Sequence, residues 1–148
     1  MRILFLDDMQ IRHDAAVRWF KGHELVQCYT AQEAIKALAG PRFDLVMLDH
    51  DLAEEHYLTL SEGLSEEPTH GNQQDSYAPG TGMDVALHIC NMQMENLPNV
   101  PGIVVVHSWN PSRARQMHEL MRERGINSYR SQFDPCRCPV NLRLHQER

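Results

Sequence analysis

Phe43-Asp44-Leu45-Val46-Met47-Leu48-Asp49-His50-Asp51-Leu52 is an apolar stretch, Phe43 to Leu48, that ends in two carboxylates and an imidazole. A run this short and this apolar fits a strand covered on both faces, as in the middle of a parallel sheet. A buried strand whose last residues are Asp-His-Asp is built to meet a cation or a phosphate rather than to fill a core. Two other segments repeat the design. Ile3-Leu4-Phe5-Leu6 runs into Asp7-Asp8, and Ile103-Val104-Val105-Val106 runs into His107-Ser108-Trp109-Asn110. Three apolar strands therefore each finish in residues that ligate metals or move protons.

Between these strands the hydrophobic period changes to that of helices. Ile11, Ala15, Ala16, Trp19 and Phe20 recur at helical spacing after the first strand, Arg2 to Leu6. Glu24 to Tyr29 reads as a second strand. Thr30-Ala31-Gln32-Glu33 is a capping box, with Ala34, Ile35 and Leu38 as the inward stripe and Gly40-Pro41 as the stop. Residues 52 to 80 then break the alternation: Gly63, Pro68, Gly71, Pro79 and Gly80 stand among polar and acidic residues. That is far longer than the usual strand-to-helix loop of about 2 to 6 residues, and a lid is one reading of it. Order resumes at Thr81-Gly82-Met83-Asp84, the start of a helix with Val85, Ala86, Ile89, Cys90 and Met92 inward. A fourth strand, Gly102 to Val106, follows. Asn110-Pro111 caps a helix buried through Ala114, Met117, Leu120 and Met121 and ended by Gly125. Ile126 to Ser131 is the fifth strand.

Five strands alternating with helices predict an α/β fold, a doubly wound five-stranded parallel sheet with right-handed crossovers and a long loop insertion after strand three. With the flavodoxin-like strand order 2-1-3-4-5, strands one, three and four are neighbours, and ligands bind beyond their carboxyl ends. The three polar clusters then converge on one pocket. The 148 residues, 42% of them hydrophobic, suit a single domain over 1–148, with 132–148 as a C-terminal tail.

The formal net charge is −6, but its distribution says more. From Phe43 to Ser112 there is no Lys or Arg, and acids from Asp44 to Glu95 fill that stretch. Duplex nucleic acid requires a basic face, so that partner is excluded. Arg12 and Arg18 before the stretch, and Arg113, Arg115, Arg122, Arg124 and Arg130 after it, are the cations that an anionic substrate would meet. No run approaches the roughly 18 apolar residues of a membrane span, and Met1 to Phe5 is followed at once by acids, unlike a signal peptide. The expected location is the cytoplasm, with no membrane partner and the oligomeric state open. Cys28 and Cys90 read as small buried hydrophobes, and Cys136 and Cys138 as surface thiols ahead of a zinc pair.

These motifs resemble the receiver (response-regulator, CheY-like) superfamily over nearly the whole chain. The matching features are Asp7-Asp8 after strand one, Asp49 at the phospho-accepting position, Ser108 after strand four and Gly82-Met83-Asp84 at a helix start. Two features depart from it. Receivers carry a lysine after strand five, whereas this chain has no Lys beyond Lys36; and His50 and Asp51 stand where receivers have apolar or small residues. The departures resemble a narrower branch, the cyclic-phosphate processing receiver-like domains, through LFLDD with Arg12 following, LDHDL, the G-x-D-V-A start at Gly82 to Ala86, and VVHSWNP at 105–111. That resemblance implies metal-dependent hydrolysis of a cyclic phosphate on a small nucleotide or an RNA end.

The residues themselves support such chemistry. Asp7, Asp8 and Asp49 are hard oxygen donors for Mg²⁺ or Mn²⁺, and His50 and His107 add nitrogen donors that bring in Mn²⁺, Fe²⁺ or Zn²⁺. Asp7, Asp8, Asp49 and His50 are the expected metal ligands, with Mg²⁺ or Mn²⁺ ahead of Zn²⁺ or Fe²⁺. Whichever of His50 and His107 is not a ligand would protonate the leaving oxygen, its ordinary pKa of about 6.5 suiting that role. Arg12, Ser108, Asn110 and Arg113 are the expected contacts to phosphate oxygens. Plainer readings stand beside these: Asp7-Asp8 as a helix cap, Asp51 and Asn110 as caps, Trp109 as packing, and His56 and His70 as loop residues that a closing lid would bring in. The same holds for His13, His23, His88, His118 and His145 as surface or core filler, and for Met83, Met92, Met94, Met117 and Met121 as core. Two alternatives to hydrolysis remain: a phosphorylatable signalling receiver with Asp49 as acceptor, and a degenerate receiver that only binds.

Overall fold

A computed structural model describes residues 1–52, 80–108 and 110–140. The long insertion, with His56 and His70, falls mostly outside these residues, as do Trp109 and the end of the tail. Five parallel strands form one sheet in the order β2-β1-β3-β4-β5, the predicted arrangement. They are β1 (Arg2–Leu6), β2 (Glu24–Cys28), β3 (Leu45–Leu48), β4 (Ile103–Val106) and β5 (Ser128–Arg130). Four described helices connect them: α1 (Gln10–Trp19), α2 (Ala31–Leu38), α3 (Gly82–Met94) and α4 (Pro111–Glu123). The first strand has the predicted bounds; relative to the sequence pattern, strand two lacks Tyr29, strand three Phe43 and Asp44, strand four Gly102, and strand five Ile126, Asn127 and Ser131.

Side-chain alternation along the strands builds two cores. Leu4, Leu6, Val46, Leu48, Val104 and Val106 face α2, α3 and α4. Ile3, Phe5, Leu45, Met47 and Val105 face Ala15, Ala16 and Phe20 of the α1 segment, and Phe133 from the tail completes this layer. The predicted caps form. Thr30 accepts from the Glu33 amide while the Glu33 carboxylate accepts from the Thr30 amide, and Asn110 accepts from the Arg113 amide with Pro111 opening α4. Gly125, with φ of 82°, turns the chain out of α4 in a conformation that favours glycine.

Two residues predicted to be core are exposed. Ile11 lies in the first turn of α1, at the carboxyl edge of the sheet, and His13 takes the buried place in that turn. Met94 is the last residue of α3, past the core, and its sulfur meets the Arg124 guanidinium. Among the described residues no helix is long and apolar enough to cross a membrane.

Candidate functional site

Register brings the three polar strand ends together. Leu6 pairs with Leu48, and Leu48 with Val106. Asp7, Asp49 and His107 are therefore the next residue on each of three adjacent strands. The ladder runs one step further, since the Asp49 amide donates to the Leu6 carbonyl (3.1 Å) and the His107 amide to that of Leu48 (2.9 Å). Alternation turns all three side chains to the face that carries Phe5, Met47 and Val105. One ligand atom from each lies within 4.8 Å of the others, and all three residues are buried.

Burying two carboxylates side by side is unfavourable, and the local chemistry shows how it is tolerated. Arg12, from α1, donates to Asp7 Oδ2 at 3.1 Å and stands 3.7 Å from Asp49 Oδ2, its guanidinium carbon 4.9 Å from the centre of the Phe133 ring. The Met9 amide donates to Asp7 Oδ1 (2.9 Å). Even so, burial raises the Asp7 pKa above its usual value, with the Met9 amide and Arg12 opposing the rise. Burial and the neighbouring Asp7 push Asp49 up to about 8, against the pull of Arg12. His107 moves the other way. Its burial, and then the positive charge of Arg12, lower its pKa to about 3, so the ring is neutral.

That neutral ring is stacked on Phe5 (centroids 5.0 Å apart, 7° between planes) and lies against Phe133. Neither ring nitrogen has a hydrogen-bond partner among the described residues; Nδ1 is 3.7 Å from Asp7 Oδ2. Buried polar atoms in folded proteins are rarely left so. A nitrogen lone pair with no proton donor, facing two carboxylates, is a donor set that fits a divalent cation.

The other predicted residues fall around this group in different ways. Asp8 is half-buried beside it, and its charge acts on Asp7 and Asp49. His50 lies outside the group of three; its Nδ1 is 2.7 Å from Asp51 Oδ1, and its side chain is 12% exposed. Ser108 is buried, and its hydroxyl accepts from the Asn110 amide at 3.1 Å. The Asn110 side chain is engaged as the α4 cap, and Arg113 is exposed in the first turn of that helix, 3.4 Å from Gln116.

Three contributions were not evident from sequence. His13 is fully buried, and its Nε2 lies 2.8 Å from the Asp7 carbonyl. A carbonyl only accepts, so Nε2 carries the hydrogen and fixes the backbone under the acidic pair. The signal was present: His13, Ala16 and Phe20 share one face of α1 at i, i+3 and i+7. Phe133 closes the pocket from the tail. Gly82 permits the close approach of α3 to β3, since a Cβ there would sit 2.0 Å from the Asp49 carbonyl oxygen, whereas its amide now donates to the His50 carbonyl at 3.1 Å.

A 2-1-3-4-5 parallel sheet with acids after β1 and β3 and a hydroxyl after β4 defines a receiver-type domain. Residues 2–123 match the model of the cyclic-phosphate processing receiver domain, and the chain belongs to that family. Among solved structures it is similar to a response regulator protein from Burkholderia pseudomallei, determined with a phosphorylated aspartic acid, a calcium ion and citrate. That pair shares 15% identity at a TM-score of 0.57, over 97% of this chain and 62% of the other; this chain thus spans less than two thirds of that protein. It is similar also to the receiver domain of the Francisella response regulator 1452 (12% identity, TM-score 0.59, 99% and 96% of the two chains) and to that of NtrX from Brucella abortus (19%, 0.52, 98% and 94%). At these identities the likeness is one of fold. No curated protein matches the chain in sequence.

Proposed function

We propose that the protein is a divalent-cation-dependent phosphoesterase that opens a cyclic phosphate on a nucleotide or at an RNA end. The observation that carries this reading is the buried Asp7, Asp49 and His107 group with its unpartnered imidazole. Asp7, Asp49 and His107 would hold the ion, and the mixed oxygen and nitrogen donors suit Mn²⁺ alongside Mg²⁺, with Zn²⁺ and Fe²⁺ behind them. When bound, such an ion supplies electrophilic pull on a phosphoryl oxygen and lowers the pKa of water.

The chain's own residues do the rest. With His107 occupied as a ligand, proton transfer falls to His50. Asp51 accepts the Nδ1 hydrogen, which leaves Nε2 to give a proton to the leaving oxygen and to regain one from the attacking water. Asp8 adds negative charge beside the group. Phosphate oxygens would be oriented by Ser108 and Arg113, with Arg12 joining them once released from the carboxylates; the Asn110 side chain is already used by the helix cap.

A second reading has Asp49 as a phosphoryl acceptor. It is favoured by the Burkholderia response regulator, which carries a phosphorylated aspartic acid and a calcium ion on the same fold. The absence of any Lys after Lys36 weighs against it, because receivers carry a lysine after strand five. Turnover of 2′,3′-cyclic nucleotides and of cyclic oligonucleotides, with and without EDTA, tests the first reading, alongside metal analysis of the purified protein. EDTA-sensitive hydrolysis supports it. Covalent phosphate on Asp49 after incubation with acetyl phosphate, without hydrolysis, overturns it. Neither metal nor turnover would leave a domain that only binds.

A further inference from the structure

A second cleft lies at the sheet edge, between α4 and β5, on the face of the sheet away from the imidazole of His107. Its volume is about 840 Å³, within the range of small-molecule sites. Ala114, His118 and Arg122 follow one another at four-residue spacing along α4 and form one wall. Ser128 and Arg130, two residues apart on β5, form the other. Ser108 lies at the β4 end, one residue after His107.

The charge of this cleft runs against that of the chain. The sequence has 20 acids against 14 Lys and Arg, yet the lining holds two arginines and a histidine and no carboxylate among the described residues. Arg122 and Arg130 are exposed, and neither guanidinium has an ion-pair or hydrogen-bond partner among the described residues. Both guanidinium groups act on His118, whose Nδ1 is 2.9 Å from the Ser128 hydroxyl. Glu119, exposed on the neighbouring face of α4, is the one acid among the described residues whose charge acts on His118. Two guanidinium groups lining one cleft with no carboxylate in its described lining suit an anion, and planar guanidinium groups match phosphate oxygens in pairs.

We propose that this cleft binds a phosphorylated, nucleotide-sized ligand, with Arg122 and Arg130 clasping the phosphate and the Ser128 hydroxyl donating to it. The cleft meets the surroundings of the acidic group only at Ser108, and binding by Arg122 and Arg130 does not depend on hydrolysis there. Titrating ¹⁵N-labelled full-length protein in EDTA with ADP, adenosine and inorganic phosphate tests it. ADP should shift amides of residues 118–131 and bind measurably by calorimetry; adenosine should not, and phosphate alone should bind more weakly at the same residues. The Arg122→Gln/Arg130→Gln protein, altered only at exposed positions, should lose at least tenfold in ADP affinity with its melting temperature kept. ADP affinity unchanged in that protein, shifts confined to residues around Asp49, or no binding by the wild type each overturn the proposal.

Discussion

Asp49→Asn separates the energetic cost of the acidic pocket from its use. With a folded pKa of about 8 against 3.8 when unfolded, Asp49 holds its proton in the native state at pH values where the unfolded chain has lost it. A raised folded pKa means stability that is complete below pH 3.8 and lost as pH rises towards 8. His107 behaves oppositely: its pKa falls from 6.5 to about 3, so its contribution is lost on acidification below 6.5 and is constant above. Between pH 6.5 and 8 the Asp49 contribution therefore stands apart from that of His107. At about 1.4 kcal/mol per pH unit, flattening near the folded pKa, the metal-free wild type should lose about 1.7 kcal/mol across that window, or roughly 3–7 °C of melting temperature. The assay is differential scanning fluorimetry in EDTA at half-unit pH steps, wild type against Asp49→Asn. Groups common to both proteins cancel, and the variant should melt with a much shallower slope. Saturating Mn²⁺ should stabilise the wild type more at pH 8 than at 6.5, because the cation takes the place of the proton, and should leave the variant nearly unaffected. Equal slopes for the two proteins in EDTA would refute the assignment of Asp49 as the buried, protonated member of the site.

His107→Phe keeps an aromatic ring between Phe5 and Phe133 and removes two unpartnered nitrogens; the metal-free protein should gain about 1 kcal/mol in urea denaturation, and its Mn²⁺-induced thermal shift should vanish. A retained shift would show that the imidazole is not a ligand. Gly82→Ala forces a Cβ to within 2.0 Å of the Asp49 carbonyl, so the backbones of α3 and β3 must part, with an expected loss of about 3 kcal/mol and a weakened Mn²⁺ response. A melting temperature within about 2 °C of wild type, where each kcal/mol is worth roughly 2–4 °C, would contradict that close approach. Arg12→Gln removes the internal cation and should lower the metal-free melting temperature at pH 8 while enlarging the gain from Mn²⁺; calorimetric Mn²⁺ titrations at that pH should show tighter binding, and unchanged affinity would mean that Arg12 does not compete for the carboxylates.

The fold was legible because each level of the sequence agreed with the next: apolar strands of the length that a covered parallel sheet requires, helices with their own caps, and Gly-Pro or Gly stops between them. The convergence of Asp7, Asp49 and His107 was legible for a similar reason. Parallel strands in matched register place the first residue after each strand in one row, and odd-numbered residues on β1, β3 and β4 share a face. What was not legible depends on contacts that no local pattern encodes. The turning of Asp7 rather than Asp8, and of His107 rather than His50, to the face of Asp49 follows, by contrast, from that parity and was open to reading in the sequence. The seat of Arg12 on the carboxylates and of Phe133 over it joins α1 to a tail some 120 residues away, with no periodicity to announce it.

Arg12 then carries a consequence for the order of events at the site. Asp7 Oδ2 is the oxygen that meets both the guanidinium, at 3.1 Å, and the His107 Nδ1, at 3.7 Å. Under the proposed reading, Asp7, Asp49 and His107 would hold the cation, and its charge would compete with the Arg12 guanidinium for the Asp7 carboxylate in low-polarity surroundings. A guanidinium released from the carboxylates would keep a favourable surface in the Phe133 ring, whose centre lies 4.9 Å from its carbon. An arginine displaced to the rim beside a cation is placed to meet an anion. Under that reading Arg12 would take the substrate role expected from its position after LFLDD only when the carboxylates are neutralised by a cation, so binding of a cyclic phosphate should depend on the cation through Arg12 as well as directly.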